Sequence, residues 1–296
     1  MIRFAAFTDL HYDHIFDGDR RLEEFLNNIK NDRLDFIISL GDLCYPTEKN
    51  KHIIAKLNSL NIPVYYTIGN HDSDCFSQDK VIEFLDLKET NYSFVIEGTK
   101  FIVLNSCYMK CNGVESPYYK DNYKKNADIY PVIPILEQEW LVEELHNKDM
   151  NYVIFSHHSL INNFMNRGIA NREYIRKILS SRKILMCMNG HDHGDDYKVV
   201  NGILYFTLNS MSYIWHGMKD TLVYHHDIYK EYPFLKDLIL YRDALHCIVE
   251  IYEDKLKIKG IKGEYQSISP SDVGIEDMQW NGVSIQPIVS DFESII

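Results

Sequence analysis

Five short stretches of this chain end in residues of the kinds that bind metal ions. They are TDLH with Asp9 and His11, GD with Gly41 and Asp42, GNHD with Asn70 and His71, SHH with His157 and His158, and GHDH with His191 and His193. Carboxylate and amide oxygens mixed with imidazoles suit divalent manganese, iron, zinc or cobalt. Two of the spacings carry geometric meaning. Asp9/His11 and His191/His193 are i, i+2 pairs, and in extended chain such residues face one way while the residue between them faces the other. Both pairs are therefore expected to enter one site, with Leu10 and Asp192 turned away. Adjacent His157 and His158 should diverge, which leaves one of them as a direct ligand. A lone strand-end histidine or Gly-Asp turn is ordinary. Five such pieces, each closing an apolar run, point to a metal centre.

The apolar runs are the elements that must position these residues. IRFAAFTD reads as a buried strand, DFIISLGD, IPVYYTIGN and NYVIFSHH as further strands, and KILMCMNGHDH as a strand and loop. DRRLEEFLNNIKND places Leu22, Phe25, Leu26 and Ile29 on one helical face, and EKNKHIIAKLNSL reads as a second helix. This βαβαβ rhythm belongs to a sheet with helical crossovers, in which chemistry gathers at the strand ends. PILEQEWLVEELHNK and NREYIRKILSSR are further helices. Hairpins are expected around Glu97-Gly98, Asn201-Gly202 and Glu253-Asp254. Residues 107–134 lack periodicity and read as a long irregular active-site loop. The aromatic-rich stretch from Tyr213 to Asp243 resists assignment. Residues 266–296 are polar and weakly patterned, so a tail packed on the surface is expected.

The order D-x-H, GD, GNHD, HH, GHxH resembles the calcineurin-like metallophosphoesterases, over about residues 1–210. The EQEWLVEEL helix ahead of FSHH is similar to one commonly found in that family. The resemblance implies an α/β fold, a four-layer α/β/β/α sandwich with two mixed sheets and a dimetal site at the strand ends. That domain would span residues 1–265 with an inserted loop region at about 211–243. Carried over, one ion takes Asp9, His11, Asp42 and His193. The other takes Asp42, Asn70, His157 and His191, so that Asp42 bridges. The family keeps the first histidine of the SHH pair as ligand, which leaves His158 to pack nearby. Two divalent ions, manganese, iron or zinc, would hold a phosphate group and a bridging hydroxide that attacks phosphorus in line. His71 would face the substrate and donate a hydrogen bond or a proton to it. Asp72 would orient an imidazole or cap the loop, and Asp74 is expected in solvent. In GDLCY, Tyr45 stands where many members carry an acid. GDxxY also resembles the iron-binding element of purple acid phosphatases, but those enzymes lack a counterpart of His11, so a pocket-wall tyrosine is the other reading.

A chain of 296 residues fits one large α/β domain with an appendage, or two small domains. The formal net charge of −12 argues against a nucleic-acid polymer or an anionic membrane as partner. A small phosphoester remains, with a phosphodiester or nucleotide-derived substrate favoured over a monoester. The loops at 12–19, 107–134 and 211–232 would set specificity, with Tyr118, Tyr119, Tyr213, Trp215 and His216 as candidate pocket residues. Tyr213 and Trp215 are taken as substrate-binding, and His225–Asp227 as surface or pocket wall. The six cysteines show no disulfide framework. No signal peptide and no membrane-length apolar run is visible, so a cytoplasmic protein is expected. A noncatalytic scaffold of the same fold is the alternative from another class. Retention of His71 and every ligand position counts against it.

Overall fold

Every second residue of the first strand faces a different core, and that alternation sets the architecture. The computed structural model describes residues 1–119, 129–165, 167–217 and 222–296. The chain begins β1 (Ile2–Phe7), α1 (Gly18–Ile29), β2 (Phe36–Ser39), α2 (Lys51–Asn58), β3 (Val64–Tyr66) and α3 (Gln78–Leu85). It continues with β4 (Tyr92–Ile96), β5 (Thr99–Val103), β6 (Tyr108–Cys111), β7 (Val114–Pro117), β8 (Ile129–Val132) and α4 (Ile135–Glu144). Next come β9 (Asn151–Ser156), α5 (Arg172–Leu179), β10 (Lys183–Asn189), β11 (Asp196–Val200), β12 (Ile203–Thr207) and β13 (Tyr213–Trp215). It closes with α6 (His226–Glu231), β14 (Leu238–Leu240), β15 (Cys247–Ile251), β16 (Lys255–Lys259), β17 (Gln279–Trp280), β18 (Val283–Ser284) and β19 (Phe292–Ile295).

Two six-stranded sheets form, in the orders β19-β16-β15-β1-β2-β3 and β11-β12-β10-β9-β5-β4. Both are mixed: β1-β2-β3 and β5-β9-β10-β12 are parallel, and the outer pairings are antiparallel. The parallel strands are covered on both faces, which explains their nearly unbroken apolar runs. Ile2, Phe4 and Ala6 of β1 face the core between the sheets, where Phe4 stacks on Phe36 at 4.5 Å and meets Phe155 edge-on at 5.8 Å. Ala5 and Phe7 face outward under α1 and α2, with Leu22, Phe25, Ile53 and Leu57. On the far side, Leu141 of α4 and Ile175 and Leu179 of α5 cover Ile154 of β9. The result is the expected helix/sheet/sheet/helix sandwich.

Three expectations change. Residues 107–134 are not irregular where the structure describes them: β7-β6-β8 form a small antiparallel sheet, turning at Asn112-Gly113 with φ of 49° and 82°. Its strands have four residues each and lack an apolar alternation, so no period announced them. Residues 120–128 lie outside the described residues, as do 218–221 within the third candidate specificity loop. From the unassigned aromatic stretch, β13 pairs with β14. The last residues do more than pack on the surface. Ile275, Ile285 and Val289 enter the core between the sheets, and β19 is the edge strand beside β16. Among the described residues no helix is long and apolar enough to cross a membrane.

Candidate active site

The metal-type residues lie just beyond β1, β2, β3, β9 and β10. They are not held there by strand alternation. Asp9, His11, Asp42, His191 and His193 all have left-handed backbone, with φ of 53°, 46°, 54°, 66° and 51°. The i, i+2 pairs do enter one site, but each member turns in through its own kink rather than along extended chain. Such a conformation costs a residue with a Cβ about 1 kcal/mol or more, so the surrounding loops must enforce it. Two glycines allow those loops to touch. A Cβ on Gly69 would collide with the Asp42 backbone and carboxylate, and one on Gly190 with the Thr8 hydroxyl.

Asp9, His11 and His193 bring their ligand atoms within 4.8 Å of one another, and so do Asp42, His157 and His191. In the first group, Asp9 Oδ1 lies 3.5 Å from His11 Nε2 and 3.3 Å from His193 Nε2. Asp42 Oδ2 lies between the groups, 3.5 Å from His11 Nε2 and 3.2 Å from His157 Nε2. Asn70 Oδ1 is 3.1 Å from His157 Nε2. Backbone carbonyls aim two of the rings. His157 Nδ1–H donates to Leu40 and His193 Nδ1–H to Tyr213, each at 2.8 Å. A carbonyl only accepts, so in the neutral form of each ring the opposite nitrogen offers its lone pair to the site.

The donor set fits divalent cations. Asp9 Oδ2 accepts from the Thr8 hydroxyl and the His191 amide, and Asp42 Oδ1 accepts from the His71 amide. Asp9 Oδ1, Asp42 Oδ2 and His191 Nε2 are buried and have no hydrogen-bond partner among the described residues. Burying one such atom is costly; a converging set of them is an arrangement that divalent cations would satisfy. Burial holds the His11 imidazole down at about 4 and those of His14 and His191 well below their usual range. Neutral imidazole is the form a metal needs. For His157, burial pulls down, but the Asp42 carboxylate more than offsets it and raises the pKa to about 9.

His71 sits beside the groups, its ring 5.1 Å from that of His11. Its Nδ1–H donates to Asp74 Oδ2 at 2.8 Å, and Tyr118 donates to the other oxygen of Asp74 at 2.8 Å. Burial would lower the His71 pKa, yet the carboxylates of Asp42 and Asp74 raise it to about 9. Asp74 is thus buried rather than solvent-exposed. Asp72, named with His71 as a catalytic candidate, is spent on backbone. Its carboxylate accepts from the amides of Asp42, Leu43, Cys44 and Gly69 at 2.8–3.3 Å. Asp72 caps the loops, and Asp74 orients the imidazole.

A family model of calcineurin-like phosphoesterases matches residues 2–195. The chain belongs to that family. It is a hydrolytic phosphoesterase, and the family works through a dimetal site. It is similar to a 3′,5′-cyclic-nucleotide phosphodiesterase of Nostoc, 24% identical over 260 residues, covering 82% of this chain and 89% of the relative. Its fold is similar to that of a dimetal phosphatase from Danio rerio, with a TM-score of 0.64 and 16% identity, covering 90% of this chain and 99% of the other. It is also similar to GAP50, the anchor in the inner membrane complex of Plasmodium, with a TM-score of 0.55 and 16% identity, covering 90% and 89%.

In this phosphoesterase, a cavity of about 170 Å³ opens between the ligand residues and an outer wall that includes Tyr118, Tyr213 and Trp215. Tyr213 is fully buried, and its hydroxyl meets His14 Nδ1 at 3.2 Å. The Tyr45 hydroxyl meets His14 Nε2 at 3.1 Å and joins neither ligand group. His158 packs its ring 4.1 Å from that of His191 and pairs with Ser106. His216 is buried away from this cavity, Tyr119 is half-exposed, and His225 caps α6 at the surface. Sequence reasoning missed His14, Asp74 and Arg167. His14 and Asp74 each lie three residues after a recognised histidine, on a single 3-10 turn, which was a usable signal. Arg167 had none.

Proposed function

We propose that this phosphoesterase hydrolyses a small, nucleotide-derived phosphodiester with two divalent ions, manganese, iron or zinc. The observation that carries the reading is the single cavity shared by both ligand groups, the Asp74-bound His71 and an aromatic wall ending in Trp215. The cavity takes a phosphoryl group, and its mouth lets the rest of the substrate extend past Trp215, where a base or sugar can stack. Similarity to the Nostoc phosphodiesterase supports a diester.

Asp9, His11, Asp42 and His193 would hold one ion, and Asp42, Asn70, His157 and His191 the other. When bound, the ions supply Lewis acidity and an activated water. His71, kept protonated by Asp42 and Asp74, holds its proton on Nε2 for the departing oxygen. Tyr118 and Asp74 fix the direction in which that proton points. Six unpaired cysteines suit a reducing compartment, and we place the protein in the cytoplasm.

The test is to load the protein with manganese, count the ions, and compare bis-p-nitrophenyl phosphate, p-nitrophenyl phosphate and 3′,5′-cyclic AMP. About two ions per chain with faster diester cleavage is the expected result. Faster monoester cleavage would make it a phosphomonoesterase. Two ions with no cleavage of any ester would favour a metal-bound scaffold and overturn the proposal.

A further inference from the structure

Arg167 lines the same cavity as Asn70, His71 and Trp215, opposite in charge to the Asp42 carboxylate in that lining. Its position is built. Nε–H donates to Asp192 Oδ1 at 3.3 Å, and Nη2 donates to the His191 carbonyl. Nη1 has no hydrogen-bond partner among the described residues. Asp192, the residue between the two histidines of GHDH, is fully buried. Its other oxygen accepts from Asn162 Nδ2 at 2.9 Å, so one carboxylate clips both sides of the loop that follows SHH.

The C-terminal segment braces this clip. Asn162 Nδ2 also donates to the Asn281 carbonyl at 3.0 Å, at the β17-β18 turn. The next strand exchanges two backbone hydrogen bonds between Ser284 and Asp195, just after GHDH. Ser290 donates from both its amide and its hydroxyl to the Asp195 carboxylate. The matched family region ends at residue 195, so this bracing comes from outside it. A buried carboxylate needs only one cation for compensation. A planar guanidinium held on its inner edge keeps its outer edge for a second acceptor, and phosphoryl oxygens are its best match.

We propose that Arg167 is a substrate-binding residue that grips a non-bridging oxygen of the substrate phosphoryl group, aimed by Asp192 and by the C-terminal hairpin. This rests on the phosphoesterase reading of the site, but its test does not need turnover. Inorganic phosphate is titrated by calorimetry into the manganese-loaded protein. Relative to wild type, Arg167→Met should bind phosphate about tenfold or more weakly with both ions retained, and KM for bis-p-nitrophenyl phosphate should rise more than kcat falls. Arg167→Met leaves Asp192 buried without its cation and can unfold the protein. Two further variants cover that case. Arg167→Lys keeps a charge on Asp192 but offers no fork, and the double change Arg167→Met with Asp192→Asn removes both charges. Each should weaken phosphate binding at least about threefold. Phosphate affinity within twofold of wild type in any folded variant that carries both ions overturns the assignment. Phosphate bound by a wild-type protein that cleaves no ester would overturn the proposed function while leaving Arg167 to be judged on the binding ratio. No phosphate binding by the loaded wild type would overturn the Arg167 assignment, while ester cleavage would still decide the proposed function.

Discussion

His71 Nδ1 lies 2.8 Å from Asp74 Oδ2, three residues further along the same 3-10 turn. The imidazole and the carboxylate that directs it therefore come from one short piece of chain, GNHDSD. Asp74→Asn should lower kcat about 10–100-fold with both ions retained. His71 donates its proton, so activity is present below its pKa and lost above it. Asp74 raises that pKa, and its removal lowers it. The alkaline limb of the rate profile should move to lower pH. A profile of kcat against pH that does not move would show that Asp74 does not act on the imidazole.

Asp72 and His71 are neighbours with separable roles. His71→Ala should abolish most turnover, by about 10²–10⁴-fold, while the protein keeps its ions and its melting temperature. Asp72→Ala should do the reverse in origin. It strands four backbone amides, should cost about 3 kcal/mol or more in stability, and should release the ions as the Asp42 loop loosens. Urea denaturation and metal analysis of the two variants distinguish these outcomes.

The two ligand groups should differ in their response to pH. Without a cation His157 holds a proton up to about pH 9, whereas burial keeps His11 neutral above about pH 4. An ion entering the His157 group must expel that proton. Its affinity should fall about tenfold for each pH unit below 9, and the ion at Asp9, His11 and His193 should be lost much less steeply. Metal titrations at pH 6.5 and 8.5 measure this. Equal slopes for both ions would contradict it.

Gly69 and Gly190 are needed for close approach rather than for their backbone angles. Gly69→Ala and Gly190→Ala should each lower metal occupancy and stability, because the neighbouring loops cannot both stay in place. Gly98→Ala is the control. It meets nothing within 4 Å, sits at a φ of 79°, and should cost about 1 kcal/mol without touching the ions. Full metal content in Gly69→Ala would show that the loops can separate freely.

Local pattern made much of this molecule readable in advance. The apolar runs from Ile2, Phe36 and Tyr152 announced buried parallel strands because both their faces are covered, and Glu97-Gly98 and Asn201-Gly202 announced their turns through backbone that only a few residue types adopt readily. The types and order of the residues at the strand ends named a metal centre for the same reason: ligand chemistry is a property of single side chains. What an extended strand would do with Asp9 and His11 was legible too, but the real loop is kinked at both. The small sheet at 108–132 and the core contribution of Ile285 and Val289 lie in pieces too short to carry a period.

The tertiary structure alone decided which partner each polar side chain serves. Asp72 and Asp74 are chemically identical and two residues apart, yet one is surrounded by amides from the Asp42 loop and the other by His71 and Tyr118. Arg167 reaches the cavity only because Asp192, Asn162 and Asn281, far apart in the chain, meet beside it. Residue type and spacing determine what a side chain is able to do. Its task depends on the groups that come within about 3 Å of it, and those arrive from distant segments whose meeting is set by how the two sheets pack.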